Sequence, residues 1–255
     1  MVSNMPIERT GADQATPRSS RFSLAANYDP ELVPALAAAS YRFMERVNGC
    51  FGEIRIVRHY VAAETALRPI PSPLRILDIG SGSCDIPLAV SRWARANGLS
   101  LHFTCLEKAG PAVCIARRHL DRAGDPAVHL IEGDIFTHQP TEPYDCAVAS
   151  MCFHHFSNAQ ILMLLQRLRG FVISGVLTND LRRSPRAWLA ARLLLAVTGA
   201  SEKVRHDALL SIRRGFKVSE LTNLLRQLNN ATVSVKPARW FRIAATIRFN
   251  RGQSL

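Results

Sequence analysis

The middle of the chain alternates between short apolar runs and stretches in which apolar residues recur every three or four positions. Apolar runs typical of buried strands begin at Leu74, Leu101, Ala127 and Tyr144, and the spacing after each run predicts an amphipathic helix. Strands that alternate with helices pair in parallel through right-handed crossovers. The pattern therefore predicts an α/β fold with a central, mainly parallel sheet.

Polar and helical sequence precedes this core. Residues 1–21 carry both signs of charge and lack the apolar centre of a signal peptide, so they predict a disordered lead. Residues 22–70 predict two helices, broken at Asn48-Gly49 and followed by a proline-rich linker. Two such helices either cover a cleft as a lid or pack on the sheet edge, and the sequence leaves both alternatives open.

An insertion interrupts the last part of the predicted domain, which covers residues 71–255. A strand over residues 170–177 ends before a predicted turn at 179–181, and the inserted segment 180–217 contains many arginines and the most apolar helix of the chain. The sequence then predicts a final helix and an antiparallel hairpin with strands at 231–235 and 240–249.

Composition narrows the class of protein. A chain of 255 residues with 47% hydrophobic content can bury a full core, and it has no apolar run of the about 20 residues that span a bilayer. Its six cysteines form no C-x-x-C pair, which is typical of free thiols in a reducing compartment and predicts a cytoplasmic protein. The net charge of +12 favours an acidic partner or surface, although an ordinary basic protein fits equally well.

A glycine turn follows the first strand. Gly80 and Gly82 allow a sharp turn and a close approach of ligand to backbone because neither carries a Cβ, and the next helix directs its free N–H groups into the same space. Asp78 lies two residues before the first glycine, and Asp85 lies in the first helical turn. Asp85 would repel a pyrophosphate, so the turn favours a nucleotide-like ligand that carries positive charge.

The D-x-G-x-G motif of residues 78–82 resembles the first motif of class I S-adenosylmethionine-dependent methyltransferases. The resemblance extends over residues 74–177, and it implies a Rossmann-like fold with a seven-stranded sheet and S-adenosyl-L-methionine as the cofactor. Cys84 stands where those enzymes usually carry a third glycine. This departure leaves two alternatives, a weakened cofactor pocket or a non-catalytic cofactor-binding protein.

Strand ends supply the other expected cofactor contacts. Glu107, next to Lys108, ends the second strand at the spacing where such folds offer a carboxylate to ribose hydroxyls. The Gly-Asp-Ile sequence that contains Asp134 and Ile135 resembles the family motif that binds adenine. The resemblance implies that Asp134 accepts from the adenine amino group and that the backbone at Ile135 meets the ring. Ser150, at the end of the fourth strand, completes the expected set.

Histidines are the candidate bases. The His154-His155 pair resembles the family loop that faces the transferring methyl group. Because histidine titrates near neutral pH, it is the natural acceptor for the proton of a phenol or enol. His155 is the first candidate, followed by His154 and by His206, which Asp207 or Asp180 could orient.

The expected substrate contacts are Asp180, Arg213 and Arg214. They lie in short sequences that resemble a bacterial subgroup of these enzymes acting on aromatic and polyketide-derived metabolites. The arginines either hold a carboxylate or phenolate of the acceptor or serve a structural role. Cys152, beside the two histidines, has no further ligands in a recognisable spacing, so no metal is expected.

These features predict an enzyme that transfers a methyl group from S-adenosylmethionine to an oxygen, or less readily a carbon, of an aromatic or polyketide-type small molecule. The basic, apolar segment 180–217 suits an acidic or lipophilic acceptor delivered from a membrane surface, although a solvated helix with its leucines in the core explains it equally well. The rival class is an RNA methyltransferase, which the net charge favours. Against it, the basic segment contains only one Trp and one Phe for stacking on bases.

Overall fold

The computed structural model describes residues 32–68, 72–198 and 202–250 of the chain. The predicted disordered lead of residues 1–21 and most of the proline-rich linker lie outside these ranges. Within them, no helix combines the length and the apolar character needed to cross a membrane. All six cysteines are free thiols.

Seven strands form one sheet: β1 Leu74–Ile79, β2 Leu101–Glu107, β3 Val128–Glu132, β4 Tyr144–Ser150, β5 Val172–Leu181, β6 Ala231–Ala238 and β7 Arg242–Phe249. Their order across the sheet is β3-β2-β1-β4-β5-β7-β6. Strands β1 to β5 pair in parallel, whereas β7 runs antiparallel to both β5 and β6. This arrangement confirms the predicted Rossmann-like α/β fold with seven strands.

The described residues form eight α-helices: α1 Leu32–Phe51, α2 Glu53–Ala66, α3 Asp85–Ala96, α4 Gly110–Ala123, α5 Asn158–Leu168, α6 Pro185–Val197, α7 Glu202–Arg214 and α8 Val218–Leu225. The predicted break at Asn48-Gly49 is wrong, because α1 continues through these residues. The break lies at Gly52, whose φ of 93° is left-handed and suits glycine. Asn48 is therefore a buried helix residue rather than part of a turn.

Helices cover both faces of the sheet. On one face, α5 and α8 bury apolar side chains such as Leu164 and Leu225. On the opposite face, α2 and α3 bury side chains such as Val57 and Val90. Helices α6 and α7 pack on each other and contribute to a small separate cluster around Leu181, at the end of β5. The carboxyl ends of β1 to β5 remain as the edge where loops converge, which is where parallel α/β sheets bind ligands.

Two expectations for the second half of the chain are wrong. β5 continues to Leu181 because β7 pairs along its end, with Arg242 opposite Leu181. Residues 179–181 are therefore strand, and Asp180 occupies a buried strand end rather than a turn. Residues 202–214, for which no helix is predicted, form the amphipathic helix α7.

Gly175 shows how closely β5 and β7 approach each other. Its φ is 152°, and a Cβ at this position would lie 2.0 Å from the carbonyl oxygen of Ile247 on β7. Only glycine allows this approach, because any side chain would displace the neighbouring strand. The close pairing holds the end of β5, and with it Asp180, at the carboxyl edge of the sheet.

Candidate functional site

The glycine turn between β1 and α3 lies at the centre of the carboxyl edge. Gly80 and Gly82 have left-handed φ values of 67° and 57°. The backbone N–H of Gly80 donates to the carbonyl of Leu106 at 2.9 Å, which ties the turn to the end of β2. Cys84, at the position of the family's third glycine, is also left-handed, with φ of 60°. A glycine would adopt this conformation without strain, which explains why the family prefers one there.

Glu107 connects the end of β2 to the glycine turn. Its Oε2 accepts a hydrogen bond from the backbone N–H of Gly82 at 2.8 Å. Its Oε1 accepts from the backbone N–H groups of Lys108 and Ala109, at 2.9 and 2.8 Å. A carboxylate offers about four acceptor positions, so Glu107 can shape the turn and still accept from ligand hydroxyls. The contact with Gly82 is a structural role that sequence spacing did not reveal.

Asp134, after the end of β3, forms an ion pair with Lys108, with 2.7 Å between Nζ and Oδ2. Its Oδ1 accepts from the backbone N–H of Phe136 at 3.0 Å. Partial burial opposes ionisation of Asp134, but the hydrogen bond from Lys108 and the other contacts outweigh it and lower the pKa of this carboxyl. Ile135 is buried in the core, so only its backbone is available to a ligand. Its carbonyl already accepts from Nε of Arg167 at 3.1 Å.

Asp78 and Asp85 place two acids beside the turn. Burial, reinforced by the nearby carboxylates of Asp85 and Glu107, raises the pKa of Asp78 to about 7. Asp85 accepts hydrogen bonds from Nδ2 of Asn48 at 3.0 Å and from Oγ of Ser83 at 3.2 Å. A buried carboxyl with a raised pKa is stabilised in its ionised form by a cation, so this pocket suits a positively charged ligand.

Helix α1 lies over the glycine turn. Besides the bond from Asn48 to Asp85, the ring of Tyr41 lies 3.6 Å from where a Cβ on Gly82 would be. Burial and the charge of Glu107 raise the pKa of the Tyr41 hydroxyl. Glu45 of the same helix lies 3.7 Å from Nδ1 of His119 on α4. These contacts place α1 where a lid would have to be, and the lid function itself stays a prediction.

A cavity of about 690 Å³ lies next to this edge, between α1, α6, α7 and the turn that joins β6 to β7. Carbon atoms form most of its wall, which therefore suits an apolar ligand. Both His154 and His155 contribute to the wall. The aromatic residues at the wall, none of which the sequence analysis identified, are Phe51, Trp240 and Phe241. The available signal was the Trp-Phe pair between two strand patterns, where a hairpin turn ordinarily contains Asn or Gly.

His154 and Asp180 form a buried pair at the cavity wall. Nδ1 of His154 lies 2.7 Å from Oδ1 of Asp180, and the backbone N–H of His154 donates to Oδ2 at 2.9 Å. The backbone N–H of Leu181 also donates to Oδ1 at 2.7 Å. Burial alone would raise the pKa of Asp180, but the charge of His154 and these donors outweigh burial and lower it. Because Asp180 is an acceptor, Nδ1 carries a proton, and the acceptor atom of the neutral ring is Nε2.

The two histidine rings are adjacent, with centroids 4.0 Å apart. Because the Asp180 carboxylate contacts Nδ1 of His154, Asp180 orients His154 rather than His206. Asp180 itself is buried and is not among the residues that line the cavity. His206 is exposed on α7 and is not part of the cavity wall. The wall residues of α7 include Val204 and Ala208, and a residue midway between them projects from the opposite side of a helix.

The two arginines predicted to contact the substrate do not line the cavity, whereas two other arginines do. Arg213 packs over the ring of Trp188, with 5.7 Å between its guanidinium carbon and the ring centre. Arg214 is buried. Neither arginine lines the cavity. The arginines at the wall are Arg182 and Arg242. Arg242 forms an ion pair with Glu53, which is fully buried on α2. Arg182 and Arg242 are thus the arginines that line the cavity.

Residues 76–175 match a family model described as a methyltransferase domain. The fold is similar to that of the plantazolicin methyltransferase BpumL in complex with SAH, with 15% identity, 87% of this chain and 96% of that chain covered, and a TM-score of 0.60. The plantazolicin methyltransferase BamL is 13% identical, with 84% of this chain and 90% of that chain covered and a TM-score of 0.62. The magnesium protoporphyrin IX methyltransferase of Synechocystis PCC 6803 is 9% identical, with 78% of this chain and 82% of that chain covered and a TM-score of 0.53. No curated protein matches the chain.

At these identities, the likeness to solved structures concerns the fold. Sheet order and glycine turn define a Rossmann-like protein of the nucleotide-binding class. The match of residues 76–175 to a methyltransferase domain narrows this class to an S-adenosylmethionine-dependent methyltransferase, with S-adenosylmethionine as the cofactor.

Unpartnered polar atoms at the carboxyl edge fit a polar cofactor. Ser150 ends β4 and is paired in register with Asn179 on β5. Within the described part of the chain, the buried Ser150 hydroxyl and both polar atoms of the buried Asn179 amide have no hydrogen-bond partner. Such groups are costly unless something binds them. No group of three or more potential metal ligands occurs among the described residues.

The raised pKa of Asp78 predicts a pH-dependent affinity for S-adenosylmethionine. A cationic ligand prefers the ionised carboxylate, so binding below pH 7 must first remove a proton. We expect the affinity to rise with pH up to about 7 and to level off above it, with a loss of up to about tenfold for each pH unit below the pKa. Titration calorimetry between pH 5.5 and 8.5, in buffers of different ionisation enthalpy, measures both the affinity and the proton released.

Asp78→Asn is the matched variant for this experiment. It should bind more weakly than the wild type at pH 8, because the anion is lost, and its affinity should change little with pH. A wild-type affinity that stays constant between pH 5.5 and 8.5 would show that Asp78 does not titrate with the cofactor.

Proposed function

We propose that the enzyme transfers the methyl group of S-adenosylmethionine to a phenol or enol oxygen of an aromatic, polyketide-type small molecule. The observation that carries this proposal is the His154–Asp180 pair in the wall of a largely apolar cavity. An apolar wall suits an aromatic ring, and an oriented histidine suits the removal of a proton from a hydroxyl group.

The residues at the carboxyl edge are proposed to hold the cofactor. Asp78, Asp85 and the glycine turn accommodate its positively charged methionine end, and Glu107 accepts from its ribose hydroxyls. Farther along the edge, on the side of β2 and β3, Lys108, Asp134 and the backbone at Ile135 line the path toward the adenine. Ser150 lies on the other side of the glycine turn, at the end of β4. The bound cofactor supplies a methyl group that its sulfonium already activates, so the protein chiefly has to place the acceptor and exclude water.

His154 is the proposed base, in place of His155, which ranked first on sequence alone. Its Nδ1 is committed to Asp180, so Nε2 is the atom that takes the hydroxyl proton of the acceptor. The resulting imidazolium is stabilised by the anionic Asp180, whose three N–H contacts hold it in place. His155 borders the same cavity and remains the second candidate.

Arg182 and Arg242 are proposed to bind an anionic group of the acceptor, such as a carboxylate or a second phenolate. Both reach the cavity wall, and each also packs on an aromatic ring, Arg182 over Phe241 and Arg242 over Phe51 at 5.9 Å. A guanidinium held in this way loses little further freedom when it binds an anion. Among the similar proteins, BpumL has been crystallised with a pentazolic desmethylPZN analog and SAH, which supports a small-molecule acceptor.

The proposal is tested with methyl-labelled S-adenosylmethionine. The protein is incubated with a panel of phenolic polyketides and with extract of the source cells, and the organic, RNA and protein fractions are separated. Label in the organic fraction is expected, and His154→Gln should incorporate it at least about a hundredfold more slowly. Label confined to RNA would overturn the proposal in favour of an RNA methyltransferase, and the absence of label from every fraction would count against an aromatic acceptor.

A further inference from the structure

Exposed apolar side chains concentrate around the mouth of the cavity. Among the described residues, ten large apolar side chains are exposed, and six of them lie on α1, α6 and the β6–β7 turn. These six are Met44, Leu189, Leu193, Leu194, Val197 and Trp240. Such a concentration exceeds the scattered exposed leucines of an ordinary surface and marks a surface for interaction.

Helix α6 presents apolar residues on two sides. Its inner side contributes Ala191 and Leu195 to the cavity. Its outer side carries Leu189, Leu193 and Val197, spaced by four residues and therefore aligned in one stripe. Leu193 is 60% exposed and Val197 is 82% exposed, so the stripe contributes little to the core.

The β6–β7 turn extends this surface at a cost in backbone strain. Trp240 and Phe241 have left-handed φ values of 56° and 58°, a conformation that disfavours bulky side chains. Asn and Gly make the same turn without this strain. The conformation directs Phe241 into the cavity wall and leaves Trp240 at the rim, 55% exposed.

Positive charge flanks the apolar surface. The exposed arginines are Arg186 and Arg192 on α6, Arg205 on α7 and Arg239 in the turn. Among the described side chains of these three elements, Glu202 is the one exposed acid. An apolar surface with a basic border is complementary to a bilayer that contains anionic lipid.

We propose that α6, Met44 and the Trp240 turn dock on an anionic phospholipid bilayer, with the mouth of the cavity toward the lipid. Met44, Leu194 and Trp240 are exposed and also line the cavity, so the docking surface and the cavity wall are continuous. A lipophilic acceptor can therefore pass from the bilayer to His154 without crossing water. Docking and the proposed methyl transfer can be tested separately, because the enzyme would still methylate an acceptor dissolved in detergent.

Flotation with lipid vesicles tests this proposal on the full chain. Wild type is expected to float with vesicles of phosphatidylcholine and phosphatidylglycerol in equal parts, and much less with phosphatidylcholine alone. The double variant Leu189→Ser/Leu193→Ser should bind the mixed vesicles about tenfold more weakly, because two side chains lose their burial in lipid. Arg186→Gln should weaken this binding by about fivefold and leave binding to neutral vesicles unchanged.

Met163→Ser is the matched control, because Met163 on α5 is 55% exposed and lies outside this surface. It should bind like the wild type, and thermal unfolding curves should show that all variants are folded. Failure of the wild type to float would overturn the proposal, as would an equal loss in Met163→Ser. Size-exclusion chromatography gives another decisive result: a wild-type dimer that becomes monomeric in the leucine variant would assign the surface to a second copy of this chain.

Discussion

His154→Gln is expected to lower the kcat of methyl transfer by about 10²- to 10⁴-fold, the usual contribution of a positioned general base. Glutamine keeps a polar side chain in the buried site but cannot take up the acceptor proton. The affinity for S-adenosylmethionine should not change, because His154 contacts Asp180 and the cavity rather than the glycine turn. Single-turnover assays give the rate of transfer, and calorimetry gives the cofactor affinity.

Asp180→Asn and His155→Gln complete this experiment. Asp180→Asn should also lower kcat, with little change in KM, because it removes the anion that orients His154 and stabilises its charged form. His155→Gln should have a smaller effect than His154→Gln. If His155→Gln instead abolished transfer while His154→Gln remained active, the base would be His155, and the His154–Asp180 pair would have a structural role only.

Glu107→Ala is expected to weaken binding of S-adenosylmethionine by about 10- to 10²-fold per lost charged hydrogen bond to the ribose. A further loss should come from the turn itself, since Glu107 accepts from the backbone N–H groups of Gly82, Lys108 and Ala109. Glu107→Gln should be intermediate, because an amide retains one acceptor oxygen and points its NH₂ group at a backbone donor. Calorimetric dissociation constants for the three proteins measure the effect.

Glu132→Gln is a matched control for Glu107. Glu132 ends β3 and lies opposite Glu107 in the register of the two strands. It is exposed and pairs with Arg117 at 2.9 Å, a contact of small energetic value. The control should bind the cofactor as the wild type does. If wild type and Glu107→Ala bound the cofactor equally well, the assignment of Glu107 to the cofactor pocket would be wrong.

Elements whose identity depends on local pattern were predictable. The apolar runs that form β1 to β4 and the helices between them occur where periodicity places them, because each strand or helix is encoded by the spacing of its own apolar residues. The location of Asp78, Glu107 and Asp134 at one edge of the sheet was predictable from these strands, since parallel strands bring their carboxyl ends to one edge. β5 was the exception, because its last residues remain strand only through pairing with β7.

The arrangement of the candidate catalytic residues could not be predicted, because it depends on contacts between residues that are far apart in the chain. His154 and Asp180 are 26 residues apart, and they meet because β4 and β5 are neighbours in the sheet. His206 and Arg213 seemed suitable by residue type, but α7 turns both away from the cavity. Recognising residues 202–214 as a helix would have revealed this, since Val204, Ala208 and Ser211 share one side of it.

The fold class, the cofactor and the acids at the strand ends could be read from the amino-acid sequence alone, because these depend on local periodicity and on a short contiguous motif. The folded structure was needed to show that Asp180 pairs with His154, that Arg182 and Arg242 reach the cavity, and that α1 lies over the glycine turn. These relations join residues distant in the chain through strand register and helix orientation. Burial also raised the pKa of Asp78, and burial is a property of the packed molecule.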